Sequence, residues 1–255
     1  MSHDELLIWT IARLLEGERT VAVGSSSPTP AAGALLAEAL SDGRTRALIF
    51  RNNLDDPFPE SGSELYDRIG QGRIDVFFLG GGQIDGEANL NMVGVGDYPR
   101  SQVRFPGSHG TPVIYMLVPR VILFREEHSR RVLVEKVDFI SAPGSSPPDV
   151  YRPGGPSDLV TGMAHFRFVR ERGRFVLVSV HPGHSEKDVR EHTGFAFDID
   201  DEVIETPAPD ENCLRLLREQ VAPRVWETYP DFAVSRLRYR PQADDGALSD
   251  QTCET

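Results

Sequence analysis

The residues of this chain best suited to chemistry are three consecutive glycines that end an apolar run, Phe77-Phe78-Leu79-Gly80-Gly81-Gly82-Gln83. Glycine accepts positive φ and lets another group approach its backbone closely, so a run at a strand end offers exposed N–H groups. Such donors stabilise a developing oxyanion or hold a phosphate. Gly81 and Gly82 are therefore candidate oxyanion donors, with Gly80 and Gln83 beside a substrate carbonyl. The bland alternative is a tight strand-to-loop turn that needs flexible residues. Asp85 follows two residues on and is expected to orient the turn by accepting backbone N–H bonds, with proton transfer the lesser reading. Asn89 and Asn91 share a face if extended and would brace the neighbouring loop. A second glycine turn, Pro106-Gly107-Ser108-His109-Gly110, completes the set. Ser108 and His109 are neighbours in an extended loop and point in opposite directions, which argues against a nucleophile–base pair. His109 is placed instead near the substrate.

These residues must be positioned by elements that the pattern predicts. Residues 3–16 repeat apolar positions at helical spacing, and 20–23 form a strand running into Gly24-Ser25-Ser26-Ser27-Pro28. A small-residue helix is expected at 31–40, a strand at 46–50, a polar loop at 51–56, a helix at 62–70 and a buried strand at 74–79. This alternation predicts βαβ units and a mostly parallel sheet, an α/β fold. Further on, strands are expected at 113–117, 121–124, 131–140, 164–170 and 174–180, the last two joined by a hairpin turn at 170–174. Residues 141–158 are rich in Pro, Gly and Ser and read as irregular. Helices are expected at 186–192 and 209–221, with acidic residues near their starts. One domain, 1–241, is followed by an aperiodic tail, 242–255, that is expected to be disordered.

Composition excludes several classes. The net charge of −12 disfavours nucleic acid, which demands concentrated positive charge. Lys136 and Lys187 are the only lysines, so arginine carries almost all the cationic charge. The longest apolar run, near 113–124, is broken by Pro119 and Arg120 and falls short of a membrane helix. The amphipathic, acidic N-terminus lacks the features of a signal peptide, which makes the cytoplasm the expected compartment. Cys213 and Cys253 make no disulfide framework, and scattered histidines give no metal-ligand spacing.

The sequence resembles the β subunit of the class I CoA-transferases, of the glutaconate CoA-transferase type. The resemblance is carried by GSSSPTPAAGALLAEAL at 24–40, GGGQIDGEANLN at 80–91, PGSHG at 106–110, HPGHSEKDVREHTGFAF at 181–197 and TPAPDENCLRLLREQVAP at 206–223. It implies an open, mixed, mostly parallel sheet flanked by helices, the CoA-transferase-like (NagB/RpiA-like) fold. It also implies a separately encoded α subunit, an α2β2 assembly with the site at the subunit interface, and an acyl-CoA substrate. Coenzyme A then enters as part of the substrate, with no permanently bound cofactor. Gly80, Gln83, Asp85, Asn89, Gly107, Ser108 and His109 become candidate substrate- or CoA-binding residues. His109 departs from the family pattern, which has Gly there. His181 matches a family HPG segment, but a structural role at the end of a strand is the preferred reading.

Transferases of this family attack the acyl-CoA with a β-subunit glutamate at the end of the second strand, followed closely by Gly. Covalent catalysis of that kind needs a carboxylate at the reacting carbonyl. Here the stretch reads Leu48-Ile49-Phe50-Arg51-Asn52-Asn53-Leu54, with neither. Arg51 could pair bidentately with a substrate carboxylate, and Asn52 could donate to an enolate or thioester oxygen. The expected activity is therefore C–C bond hydrolysis or a related lyase step, with the general base on the α subunit. The alternatives are true CoA transfer through a displaced carboxylate (Asp55, Asp56 or Glu60) and a non-catalytic polypeptide that binds CoA for its partner.

Overall fold

The computed structural model describes residues 1–50, 62–200 and 202–241. Helix α1 (His3–Leu14) opens on a capping box: Ser2 Oγ accepts the Glu5 N–H at 3.2 Å, and the Glu5 carboxylate accepts the Ser2 N–H at 2.6 Å. Strand and helix then alternate as β1 (Thr20–Val23), α2 (Pro28–Leu40), β2 (Arg46–Ile49), α3 (Gly62–Gly70) and β3 (Val76–Leu79). Two short antiparallel pairs follow, β4 (Gln83–Ile84) with β5 (Leu90–Asn91) and β6 (Gly94–Val95) with β7 (Val103–Arg104). Next come α4 (Thr111–Leu117), β8 (Arg120–Arg125), β9 (Pro156–Thr161), β10 (Ala164–Val169), β11 (Arg174–Val180), α5 (Glu186–His192) and β12 (Ile204–Glu205). Helix α6 (Glu211–Leu216) continues through a π-helical turn (Leu217–Val221) into α7 (Ala222–Thr228), and α8 (Pro230–Ser235) closes the described chain. The π turn has a cause in the sequence: Pro223 has no N–H and its ring displaces the carbonyl four residues back.

The main sheet has eight strands in the order β12-β11-β10-β9-β8-β3-β1-β2. Strands β2, β1, β3, β8 and β9 run parallel, whereas β10 is antiparallel to both neighbours. The expected mixed, mostly parallel sheet is therefore present. Side chains alternate between two cores, as the strand period of two requires. Val21, Val23, Val76, Phe78, Ile122 and Val160 face α1, α2 and the C-terminal helices, whereas Ala22, Phe77, Leu79, Val121, Leu123 and Leu159 face α3, α4 and the short strand pairs. Burial on both faces explains why these strands read as continuous apolar runs.

Three expected elements differ. Residues 113–117 are helical: five apolar residues in a row carry no distinguishing period, and Pro112 favours a helix start. Residues 131–140 form no strand. Ile84 alone bridges there, through Ile84 N–H to Val132 O at 2.8 Å and Val134 N–H to Ile84 O at 2.9 Å, while Val132, Leu133 and Val137 are buried as loop anchors. The irregular segment expected to reach 158 ends earlier, because Pro156–Asp158 already belong to β9. None of the described helices is long and apolar enough to cross a membrane. Residues 242–255 lie outside the described residues.

Candidate functional site

Strand β1 has β2 on one side and β3 on the other, so connections leave the carboxyl ends of β1 and β3 in opposite directions. A crevice opens at such a switch point, where ligands bind in open α/β sheets. A cleft of about 870 Å³ lies there. Its walls come from the β1–α2 turn (Ser26, Ser27, Thr29), from Gly80 after β3, from Arg125 to His128 at the end of β8, and from Gly162 and Met163 between β9 and β10. His3, His184, Phe232 and Arg236 complete the rim.

Of the glycine run, only Gly80 reaches this cleft. Gly81 is buried, and the Gly82 N–H donates to Asn91 O at 2.9 Å, so neither presents a donor to the cleft. A Cβ on Gly82 would fall inside the Phe105 ring, which explains the glycine by close packing. The polar residues after the run bond to one another. Gln83 accepts from Asn91 Nδ2 at 2.7 Å and from Asp138 N–H at 3.0 Å, and donates to Asp138 Oδ2 at 3.1 Å. Asp85 accepts the N–H groups of Glu87 (3.1 Å) and Asn89 (3.0 Å), the orienting role expected of it. Asn89 donates to Asp85 Oδ2 at 3.1 Å and accepts the Gly144 N–H at 3.0 Å. Asn91 is wholly buried: its Oδ1 accepts from Val93 and Gly94 N–H, and its Nδ2 also donates to Gly94 O. These side chains brace the turn from behind.

The second glycine turn stands apart from the cleft. Gly107 N–H donates to Met92 O at 3.0 Å, Ser108 O accepts the Thr111 N–H at 2.8 Å, and His109 adopts a positive φ of 44° with its ring 6.2 Å from Tyr66. Gly110 packs directly on the Tyr66 hydroxyl, leaving no room for a Cβ. Arg51 and Asn52, together with Asp55, Asp56 and Glu60, lie outside the described residues.

Two histidines form a buried network. His181 is fully buried, with Nε2 3.0 Å from Thr161 O and Nδ1 2.8 Å from Thr206 Oγ1. A carbonyl only accepts, so Nε2 carries the proton and Nδ1 accepts from Thr206. Thr206, having given its hydrogen away, must accept from Ser179 Oγ at 2.7 Å. His128 is held between Thr161 Oγ1 (2.7 Å) and Thr193 Oγ1 (2.9 Å). Burial lowers both imidazoles to about 4, keeping them neutral. The structural reading of His181 fits this geometry; His128 was not singled out from the sequence.

Sequence reasoning also missed Glu126 and Glu127. They line the cleft with Gly80. Both are ion-paired. Arg236 holds Glu126 at 2.5 Å and Asp4 at 2.6 Å, joining the β8 end to α1 and the segment after α8. Ser129 donates to Glu127 at 2.7 Å, and Arg131 and Arg125 lie 2.5 and 3.8 Å away. The Ser129 hydroxyl first, then the two guanidiniums, hold the Glu127 carboxyl below its ordinary range. The available signal was positional: Arg125-Glu126-Glu127-His128 follows an apolar strand at its carboxyl end. Among the described residues, no group of three or more His, Cys, Asp or Glu side chains is placed to hold a metal ion.

The family model described as "Coenzyme A transferase" matches residues 51–192. The B subunit of the 3-oxoadipate CoA-transferase of Pseudomonas knackmussii is 32% identical over 82% of this chain and 80% of its own. The cholesterol ring-cleaving hydrolase IpdB subunit of Mycobacterium tuberculosis is 27% identical, over 74% of this chain and 75% of that one. Among solved structures, the glutaconate coenzyme A-transferase of Acidaminococcus fermentans superposes with a TM-score of 0.72 at 25% identity, covering 86% of this chain and 94% of that chain. Motif order, sheet topology and these similarities agree, and the chain belongs to the coenzyme A transferase family as a member of the B-subunit type.

Proposed function

We propose that the chain is the B subunit of a heteromeric enzyme that acts on an acyl-CoA thioester by C–C bond hydrolysis or a related lyase step. The observation that carries this reading is the stretch after β2, Phe50-Arg51-Asn52-Asn53, which offers no carboxylate and no glycine where transferases of this kind carry their nucleophile. The two carboxylates that do line the cleft, Glu126 and Glu127, are each engaged by arginine, which makes them poor acyl acceptors. The ring-cleaving hydrolase among the relatives gives this reading a precedent.

In this scheme a base on the partner takes a proton from water. The hydroxide adds to a carbonyl of the substrate, the C–C bond breaks, and its electron pair passes to the carbon next to the thioester. The resulting enolate is protonated to complete hydrolysis. This chain supplies the cleft wall at Gly80, with Arg51 and Asn52 contacting the substrate and Asn52 donating to the enolate oxygen. The partner is a separately encoded α-type polypeptide, in an α2β2 assembly.

Trapping tests the reading. The chain, reconstituted with its α partner and incubated with acyl-CoA, should give no glutamyl hydroxamate with hydroxylamine and no borohydride-reduced glutamate or aspartate. An adduct mapped to this chain overturns the hydrolase. A second reading, CoA transfer through a displaced carboxylate, is favoured by the position of Glu126 and Glu127 in the cleft and by the transferase name of the 32% relative. Under it, E126Q or E127Q alone abolishes exchange of CoA between acids.

A further inference from the structure

At the opposite edge of the sheet, where β8 and β9 begin, a pocket of about 220 Å³ is lined by Gly144, Ser145, Ser146, Gly154, Arg152 and Arg170. Six residues of β8 separate this edge from the cleft, roughly 16 Å at the rise of a strand. The two guanidiniums approach each other beside Gly155. A Cβ built on Gly155 would stand 3.4 Å from Arg152 Nη2 and 3.5 Å from Arg170 Nη2, which places those atoms within about 7 Å of each other.

Among the described residues, no carboxylate pairs with either. Arg152 donates to Gly154 O (3.2 Å), Ser146 Oγ (3.2 Å) and Tyr115 O (3.1 Å), and Arg170 donates to Pro156 O (3.5 Å) and Pro119 O (2.9 Å). Every acceptor is neutral. Among the described residues neither arginine makes an ion pair, and neither do Asp149 and Glu171, the acids closest in sequence. Other arginines of the fold, Arg120, Arg172, Arg218 and Arg236 among them, do hold a carboxylate. Acidic side chains outnumber basic ones, 39 to 27, yet these two arginines line one pocket with no carboxylate partner among the described residues. Burial first, and then the charge of Arg170, push the Arg152 guanidinium below its ordinary value, with Tyr115 offsetting part of this.

We infer that Arg152 and Arg170 form a binding site for a phosphate dianion. Each guanidinium has five N–H groups. Arg152 uses three and Arg170 two within the chain, so two and three remain for a ligand. Two forks of this kind match the oxygens of a phosphate, and their two charges match its two. The Ser145 and Ser146 hydroxyls line the same pocket. The loop that carries them is anchored at the glycine-rich region, because Gly144 N–H donates to Asn89, and the Arg152 guanidinium lies 5.3 Å over the Tyr115 ring, whose hydroxyl donates to Ala88 O. This inference does not rest on the proposed reaction.

The test is thermal unfolding of the full chain in phosphate and in chloride at equal ionic strength, for the wild type and for R170Q, R152Q and R167Q. Arg170 is exposed, so R170Q tests the site at a small folding cost, and the exposed Arg167 on β10 controls for charge. Phosphate should raise the Tm of the wild type and R167Q, and affinity should fall roughly 10- to 100-fold in R170Q and R152Q. Displacement of phosphate by coenzyme A but not by dephospho-CoA assigns the anion to the 3′-phosphate of CoA. Displacement by neither assigns it to free phosphate; both results keep the site. A wild type indifferent to phosphate, or an R170Q variant with an undiminished response, overturns it.

Discussion

Acid should unfold this chain through His128 and His181, and the size of the effect can be worked out. Both imidazoles are held at about 4 in the folded chain against an ordinary value near 6.5. A histidine depressed on folding contributes stability that is fully present above about 6.5 and is lost as pH falls toward 4, because the unfolded chain takes the proton first. Between pH 7.5 and pH 5 each histidine then removes about 2 kcal/mol, and the two together about 4 kcal/mol. That is a large fraction of the stability of an ordinary domain. The assay is urea unfolding of the isolated chain at several pH values, for the wild type and for H128Q/H181Q. Glutamine keeps a donor and an acceptor but cannot titrate. The double variant begins less stable, and its stability should fall by about 4 kcal/mol less across the same interval. An unchanged slope would refute the neutral, buried assignment and the proton positions drawn from it.

Two further substitutions test the frame behind the glycine run. G82A places a methyl group inside the Phe105 ring and should cost about 1–3 kcal/mol in urea unfolding; in an F105A background the same change should cost much less, because the obstructing ring is gone. N91A removes four hydrogen bonds at a wholly buried position and leaves Gln83 Oε1 and the Gly94 backbone short of partners, so a loss of about 3–4 kcal/mol is expected, and N91D, which cannot donate to Gln83 or Gly94 O, should not recover it.

Much of the fold was legible because local signals agreed with tertiary demands. The helix at 62–70 and the one at 186–192 were bounded correctly, the latter beginning at the Ser185 capping box. The parallel strands were readable from short apolar runs because both faces of the sheet are covered. Val113 to Leu117 failed for the same physical reason in reverse: an unbroken apolar run gives no period, and only the neighbouring Pro112 distinguishes helix from strand. The stretch 131–140 alternates like a strand, yet its apolar residues anchor a loop under the short β4–β5 pair. In the candidate site, the glycine run was legible and its partners were not. Which N–H of the run stays available depends on Asn91 O and Phe105, eight or more residues away in sequence. Glu126, His128 and Arg236 reach the cleft through sheet order, and no local spacing reports that β8 lies beside β3.

The division of labour around the glycines has a mechanistic consequence. Gln83, Asp85, Asn89 and Asn91 bond to each other and to the backbone, so their placement answers the need to fix a turn whose own side chains are absent. A residue fully engaged in that way contacts a ligand only by breaking bonds at a buried position, at a cost of about 1–3 kcal/mol for each group left unpaired. Groups at the carboxyl edge of the sheet face no such cost. Gly80, Ser26 to Thr29 and the arginine-paired glutamates already border the cleft, and β2, parallel to β1, has its carboxyl end at the same edge. Under the proposed function, reactivity therefore depends on whether Arg236 and Arg131 keep their carboxylates once an acyl thioester enters. If they do, neither glutamate serves as acid or base, and the proposed scheme takes that group from the partner. Should either release its carboxylate, that glutamate becomes an anionic nucleophile near Gly80, and trapping on this chain would detect it.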